Sequence, residues 1–305
     1  MASDRSYRFV QVDVFTDRVF GGNQLAVVFD AGDLSGMEMQ EVAREMNLAE
    51  TTFILPSRRP DCITRVRIFT PGREMPFAGH PTIGTAWVLA RHGLVPGAAA
   101  RFALDEEIGA VSVELEGDPR APSFVWMDHR DATFEAEVRD RDGVAAALGL
   151  KAYDLLPDAP VESGSTGNAF LYVPLRDAAT VDRAVVDARR MEDVAPATAH
   201  IGIFVLAPDP DPKARRVYTR MFAPAHGVAE DPATGSASGA LGAYLVRHHL
   251  VHADGDTRIV SEQGTKMKRQ SFVHITLQAR EGRSSRIRVG GGVVPVIDGT
   301  LRMPA

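Results

Sequence analysis

Two polar segments of the sequence combine residue types that could move a proton. Glu50 stands directly before residues 51–55, an apolar and β-branched stretch that predicts a buried strand. A carboxylate shielded by apolar neighbours can have a raised pKa suited to proton transfer, although a strand-end charge pointing into water fits the same pattern. In the second segment, 230–236 (EDPATGS), Asp231 precedes a predicted helix start. A carboxylate in that position favours a role in a site over a plain surface charge.

Two helices are predicted to begin with Gly79-His80 and Gly235-Ser236. The first N–H groups of a helix have no intrahelical acceptor, and with the helix dipole they can hold a carboxylate. If the two halves of the chain face each other, both helix starts meet at one cleft. His80 and Ser236 could instead be simple helix caps. Serine is a common N-cap, whereas a histidine flanked by glycine and proline is a poor one, which favours a function for His80.

Composition excludes several classes of protein. The net charge is −6 and no Lys/Arg run is present, which argues against a nucleic-acid partner. One cysteine and nine scattered histidines predict neither disulfides nor a metal site. No apolar stretch approaches the ~18–20 residues of a membrane span, and no signal peptide is visible. We therefore expect a cytoplasmic protein with no membrane partner and a small-molecule carboxylate as its ligand.

The elements that would position these residues occur twice in the same order. Gly22-Asn23 precedes an apolar run, as Gly167-Asn168 does. FILP at 53–56 resembles FVLA at 204–207, and RIFTP at 67–71 resembles RMFAP at 220–224. This order indicates two structurally similar halves, with chance similarity among apolar strands as the alternative.

Each half combines short predicted strands with a central helix. The first half has strands at 8–15, 25–29, 51–55 and 63–69. Ser35 and Glu38 have the spacing of a capping box for a helix over 37–46. A second helix over 81–92 is apolar nearly all round and should be buried, and its counterpart over 237–249 is rich in small residues.

These patterns predict an α+β fold of two pseudo-symmetric domains. Each is expected to be a curved mixed or antiparallel sheet around a central buried helix. Prolines at 119 and 122 suggest a boundary. We place one domain at 1–122, completed by a C-terminal strand at about 293–305, and the other at 123–292.

At these segments the sequence resembles the PhzF-like family of phenazine biosynthesis, which shares the diaminopimelate epimerase fold. The resemblance covers almost the whole chain, and its Gly-His-Pro-Thr and EDPATGS motifs are highly specific together. Two departures are visible. Gln24 stands where the family usually has proline, and 267–271 is MKRQS where MGRPS is usual. The matching segments are VDVFT (12–16), FGGN (20–23), NLAETTF (47–53), FAGHPTIG (77–84), EDPATGSA (230–237) and EQG (262–264).

The resemblance implies a homodimeric isomerase without a cofactor or metal. Glu50 would match the family's proton-shuttling glutamate, with His80 and Asp231 as further catalytic residues. Substrate contacts would come from Gly79, Gly235, Ser236 and Asn23. In the phenazine pathway the family member isomerises trans-2,3-dihydro-3-hydroxyanthranilate by moving a proton across the ring.

Glu50 is expected to carry the proton alone. In the related epimerases the acid and the base are cysteines at the two helix starts, whereas this chain has His80 and Ser236 there and its only cysteine, Cys62, in a predicted strand. Aligning 53–55 with 204–206 places Ile201 opposite Glu50, and strand alternation would turn the adjacent His200 to the other face. One base can return a proton on the same face, which is an allylic shift rather than an inversion.

Three other functions remain open. One is an amino-acid epimerase or racemase of unknown substrate. Another is a hydrolase using Ser236, His80 and Asp231, although Ser236 lies outside a Gly-x-Ser-x-Gly elbow and Glu50 would then have no role. The third is a non-catalytic binding protein, which would need no base at Glu50.

Overall fold

The computed structural model describes residues 5–196 and 200–304. The outer limits of the predicted domains, residues 1 and 305, lie outside these ranges. The strands are β1 Arg5–Val14, β2 Asn23–Val28, β3 Glu50–Leu55, β4 Thr64–Phe69, β5 Glu74–Met75, β6 Arg101–Glu106, β7 Gly109–Asp118, β8 Ala121–Asp128, β9 Thr133–Glu137, β10 Glu162–Ser165, β11 Ala169–Pro174, β12 Gly202–Pro208, β13 Arg216–Ala223, β14 Val228–Asp231, β15 Gly255–Gln263, β16 Ser271–Arg280, β17 Arg283–Gly291 and β18 Val293–Met303. The α-helices are α1 Gly36–Met46, α2 Gly79–Arg91, α3 Arg141–Ala147, α4 Ala178–Arg183, α5 Ala188–Val194 and α6 Gly235–Arg247.

The chain forms two compact units. Unit 1 runs to Asp128 and resumes at Gly290, and unit 2 is His129–Val289. The first boundary therefore differs from the predicted one after residue 122. The proline-containing stretch is not a linker but the turn of a β-hairpin, in which Asp118 pairs with Ala121.

The second boundary, after residue 289 rather than 292, follows from two glycines. β17 continues through Gly290 and Gly291, which already pack within unit 1. A Cβ on Gly290 would lie 2.6 Å from the Trp126 ring, and one on Gly291 would lie 2.4 Å from the Phe15 ring. These aromatic side chains can approach the strand only because it lacks side chains there.

The sheet of unit 1 surrounds α2. β1 pairs antiparallel with both β2 and β18, β2 runs parallel to β3, and β3 is antiparallel to β4. β4 runs parallel to β6, and β6, β7 and β8 follow as antiparallel neighbours. α2 packs against β1, β2, β3, β7 and β8, and residues 79–90 are all buried. The buried central helix follows from its apolar sequence on every side.

Unit 2 repeats this arrangement around α6. β10 pairs antiparallel with β11, β11 runs parallel to β12, and β12 is antiparallel to β13. β13 runs parallel to β15, which is antiparallel to β16. Residues 235–246 are buried, and a Cβ on Gly242 would lie 2.6 Å from Ile275 Cγ2, so this glycine lets α6 lie close to β16. The repeated pairing confirms the α+β fold with two similar halves.

Both central helices begin at the predicted Gly79 and Gly235, two residues before the runs at 81–92 and 237–249. Pro81 is consequently the third helical residue. It is tolerated there because the first N–H groups of a helix need no intrahelical acceptor. The capping box of α1 is present as predicted. Ser35 Oγ accepts from the Glu38 N–H, and the Glu38 carboxylate accepts from the Ser35 N–H.

Candidate active site

His80 is the second residue of α2 and lies at the buried start of that helix. The N-cap is Ala78, whose side chain cannot cap, so His80 is not a cap either. The Gly79 N–H belongs to the first turn and has no intrahelical acceptor. A ligand that accepts hydrogen bonds would therefore find donors at this helix end.

Three residues from two strands, β2 and β3, meet at the His80 ring. The Asn23 Nδ2 amide lies 3.2 Å from His80 Nδ1 and donates to it. The hydrogen of the ring is consequently on Nε2, which lies 3.1 Å from Glu50 Oε2 and 3.3 Å from the Gln24 carbonyl oxygen. Asn23 thus fixes the tautomer in which His80 donates its Nε2–H to the Gln24 carbonyl oxygen, next to the Glu50 carboxylate.

Burial decides the charge of this histidine. The side chain is 5% exposed, and burial lowers the pKa of His80 from 6.5 to about 3, against a smaller opposing effect of the Gln24 carbonyl. The contact with Glu50 has the length of an ion pair, but the imidazole is neutral near pH 7. It therefore donates its Nε2–H to the Gln24 carbonyl oxygen beside Glu50 and is not a counter-ion of that carboxylate.

Glu50 is the first residue of β3, and its side chain is 16% exposed. It is more exposed than His80 and Asn23, and is thus the side chain of this group that a ligand can reach. The strand pairing also places Asn23, which opens β2 after Gly22. Gly22 has φ +61°, and a Cβ there would lie 2.3 Å from the Val14 carbonyl oxygen, so only glycine fits before Asn23.

The register of the strands corrects the comparison between the two halves. Leu25 of unit 1 corresponds to Phe170 of unit 2. Leu25 pairs with Glu50, and Phe170 pairs with Gly202. The counterpart of Glu50 is therefore Gly202, not Ile201. A Cβ on Gly202 would lie 3.1 Å from the Phe222 carbonyl oxygen, so this position has no room for a second base. His200 precedes β12, and its Nε2 lies 3.1 Å from the Ala195 carbonyl oxygen.

The second predicted cluster lies in unit 2, at the start of α6. Asp231 is the last residue of β14 rather than a loop residue, and its Oδ2 accepts from Thr234 Oγ1 at 2.5 Å. Gln263 Nε2 donates to the Asp231 carbonyl at 2.7 Å and to Thr234 Oγ1 at 3.0 Å. Its Oε1 accepts from the Thr234 N–H at 3.1 Å. The fully buried Gln263 thus fixes the backbone between Asp231 and the helix.

Gly235 and Ser236 open α6 as predicted. The N-cap is Thr234, which makes no side-chain cap bond, so the Gly235 N–H has no intrahelical acceptor. Among the residues that the structure describes, the Ser236 hydroxyl has no hydrogen-bond partner, although the residue is 8% exposed. A hydroxyl donor and acceptor is therefore available to a ligand there.

The structure divides the predicted site residues between the two units. Glu50, His80, Asn23 and Gly79 are together in unit 1, and Asp231, Gly235 and Ser236 are together in unit 2. Sequence reasoning missed the Gln24 carbonyl and the roles of Thr234 and Gln263, although the EQG motif at 262–264 contained the signal. Cys62 lies two residues before β4, not within a strand.

The two departures from the family pattern lie next to residues of the two predicted clusters. Gln24 contributes only its backbone carbonyl to His80. Gln270 Nε2 donates to Glu262 Oε1 at 2.8 Å, next to Gln263. The hydrolase alternative gains no support, because both ring nitrogens of His80 have partners within unit 1. Within 5–196 and 200–304, no helix is long and apolar enough to cross a membrane, and no three His, Cys, Asp or Glu side chains form a metal cluster.

Several known proteins are similar to this chain in sequence and in fold. The family model described as phenazine biosynthesis-like protein matches residues 12–299. The chain is 35% identical to an uncharacterized isomerase of Mesorhizobium japonicum, over 96% of this chain and 98% of that protein. It is also 35% identical to the trans-2,3-dihydro-3-hydroxyanthranilate isomerase of Pseudomonas chlororaphis, over 97% and 99%. A crystal structure of a Bacillus anthracis phenazine biosynthesis protein of the PhzF family superimposes with a TM-score of 0.86 at 27% identity, covering 97% and 99%.

The fold and the site thus define an isomerase that acts on a small molecule. The chain belongs to the phenazine biosynthesis-like, or PhzF, family. The predicted fold class and reaction class are both confirmed.

Proposed function

We propose that this isomerase moves a proton within a small carboxylate that carries an amino or hydroxyl group, without a cofactor. Trans-2,3-dihydro-3-hydroxyanthranilate, named for several relatives, belongs to this class. The observation that supports the proposal best is the pairing of a reachable Glu50 carboxylate with a buried, neutral His80. In that pair the carboxylate is the base, and the imidazole beside it carries no charge.

The proposed step needs only Glu50 as a proton carrier. Its carboxylate takes a proton from a ring carbon as the C–H bond breaks, and the electron pair delocalises into the adjacent unsaturated system. The resulting carboxylic acid then gives the proton to another carbon on the same face, and a new C–H bond forms there. His80 stays neutral throughout, with its Nε2 3.1 Å from Glu50 Oε2 and hydrogen-bonded to the Gln24 carbonyl oxygen.

The remaining predicted residues are proposed to bind the substrate. In unit 1 the Gly79 N–H is a donor for a carboxylate. In unit 2 the Gly235 N–H and the Ser236 hydroxyl are donors, and Asp231 would accept from an amino or hydroxyl group. We assign Asn23 to His80 rather than to the substrate, because its amide already donates to the ring.

Glu50→Gln tests the proposal, because it keeps the shape of the side chain and removes the base. Wild type incubated in D₂O with trans-2,3-dihydro-3-hydroxyanthranilate should form the isomer with solvent deuterium at one face. Glu50→Gln should lose roughly 10²–10⁴ in rate or more. Glu41→Gln, an exposed glutamate of α1, and Cys62→Ala are controls and should match wild type. Full turnover by Glu50→Gln would contradict the proposal.

An epimerase is the second candidate, favoured by the resemblance alone. Stereo-inversion needs an acid and a base on opposite faces of one carbon, and the counterpart of Glu50 is Gly202. Racemisation of a stereocentre that survives Glu50→Gln would favour the epimerase over the proton shift.

We further propose that the protein is a cytoplasmic homodimer, as the family resemblance implies. Light scattering after size exclusion should give twice the 33.0 kDa chain mass, and cell fractionation should find the protein with cytosolic enzymes. A monomer mass, or recovery with the membrane fraction, would contradict the respective part.

A further inference from the structure

A second buried acid lies at the start of α2. Glu106 ends β6 and is 3% exposed. Its Oε1 lies 2.6 Å from Thr82 Oγ1, and the same hydroxyl lies 2.8 Å from the carbonyl oxygen of Ala78, the N-cap of α2. Glu106 is thereby connected, through one hydroxyl group, to the backbone that leads into Gly79 and His80.

The single hydroxyl hydrogen of Thr82 bears on the protonation state of Glu106. A threonine hydroxyl has one hydrogen, and the Ala78 carbonyl can only accept it. If Thr82 donates to Ala78, the contact with Glu106 is a hydrogen bond only when Glu106 donates. The second carboxyl oxygen, Oε2, is buried without a hydrogen-bond partner among the described residues. That would be costly for an anion but is tolerable for the carbonyl of a protonated acid.

The internal repeat supports the same state independently. Arg67 pairs with Phe53, and Arg220 pairs with Val205, so these two arginines correspond. Two residues earlier in each strand, Arg65 therefore corresponds to Tyr218. Arg65 pairs with Asp105 in the parallel strand of unit 1, and Tyr218 pairs with Glu262 in the parallel strand of unit 2. The next residue in each strand is Glu106 in unit 1 and Gln263 in unit 2.

Gln263 shows what this position does in unit 2. It donates to Thr234, the N-cap of α6, and fixes the start of that helix. Ser238 Oγ donates to the Thr234 carbonyl at 2.9 Å, as Thr82 does to Ala78. Glutamine is a permanently neutral donor and acceptor with nearly the shape of a protonated glutamate.

We propose that Glu106 is held as a neutral carboxylic acid and is a positioning residue for the first turn of α2. It does there what Gln263 does at α6. The hydrogen-bond chain from Glu106 through Thr82 to Ala78 keeps Gly79 and His80 in register with Glu50. On ionisation the Thr82 hydroxyl would turn its hydrogen to Glu106, which would leave the Ala78 carbonyl with only the Thr82 N–H at 3.3 Å. The effect on turnover rests on the proposed function, whereas the protonation of Glu106 does not.

The surroundings of Glu106 agree with a neutral acid. Burial raises its pKa to about 8, and the Thr82 hydrogen bond opposes this only in part. The nearest titratable group on α2, His80, is itself neutral. The charged groups of the strands packed around α2 have other partners, namely Asp13 with the Phe20 N–H, Glu50 with His80, Arg65 with Glu107, Arg67 with Glu74, Arg101 with Glu114 and Asp128, Glu116 with Trp126, and Asp105 with the Arg58 N–H.

Carboxyl ¹³C NMR with labelled glutamate tests the state of the acid without any substrate. The signal that disappears in Glu106→Gln should be that of a protonated acid at pH 7 and should titrate near pH 8. An ionised Glu106 at pH 7 would overturn the proposal, whatever the enzyme's substrate is.

Turnover and the histidine signals test the positioning role. Glu106→Gln should match wild type in kcat/KM at pH 7 and lack the decline that wild type shows above pH 8. Glu106→Leu should lose roughly 10²-fold, as for a misplacement of about 1 Å, and should shift the ¹⁵N signals of His80. Thr82→Val should reproduce Glu106→Leu, and it decides the matter if Glu106→Leu does not fold. A Glu106→Gln enzyme as impaired as these variants would refute the positioning role. Absence of turnover in wild type would count against the proposed function alone, because the His80 signals still report on Glu106.

Discussion

Acid should destabilise this protein through His80, and His80→Gln should remove that effect. The unfolded chain takes up a proton on this histidine below pH 6.5, whereas the folded chain does so only near pH 3. Between these values the unfolded state binds more protons, so the stability contributed by the neutral imidazole is complete above pH 6.5 and is lost as the pH falls. At 1.36 kcal/mol per pH unit the loss is about 2 kcal/mol at pH 5.

Urea unfolding at pH 7 and pH 5 measures this effect as a difference between proteins. Other acidic and basic groups titrate equally in wild type and in His80→Gln, so they cancel in the comparison. Wild type should lose about 2 kcal/mol more than the variant on going to pH 5. His252→Gln, a change of an exposed histidine, should behave as wild type does.

The opposite sign would refute the reasoning. If His80 were a cation paired with Glu50, its folded pKa would be raised. Its contribution would then be present below pH 6.5 and lost at higher pH. Acid would in that case favour wild type over His80→Gln, and the description of His80 as a neutral donor would be wrong.

Two further predictions concern the start of α6. Asp231→Ala should fold normally, with an unchanged melting curve, and lose roughly 10²–10⁴ of turnover, because Asp231 is expected to orient the substrate; a collapsed fold would identify it as a structural residue instead. Gly264→Ala should destabilise the protein by about 1–3 kcal/mol in urea unfolding, because a Cβ would lie 2.4 Å from the Arg269 carbonyl oxygen and 2.6 Å from that of Pro232 at a φ of +73°. The matched control is Gly255→Ala, also at positive φ (+60°) but with nothing within 4 Å, and an equal loss in both variants would show that the contact with Pro232 is unimportant.

Local features of the chain could be predicted from the sequence because they depend on residues that are close together along it. The Ser35–Glu38 capping box spans three residues, and the central helices follow from runs that are apolar on every side. The motifs also gave the residues of interest, since Glu50, His80, Asp231 and Ser236 all stand at strand ends or helix starts. The repeated order of elements was likewise visible in sequence, because each half must bury the same kind of helix.

Contacts between distant segments were decided only by the tertiary structure. The tertiary structure brings Asn23, Glu50 and His80 together through strand pairing and helix packing, and burial then makes His80 neutral, which no spacing along the chain reveals. The strand pairing is shifted by one residue relative to the alignment of the two halves in sequence, and this shift makes Gly202 the counterpart of Glu50. The sequence determined which residues stand at the ends of elements, and the pairing and burial of those elements determined their partners and charge.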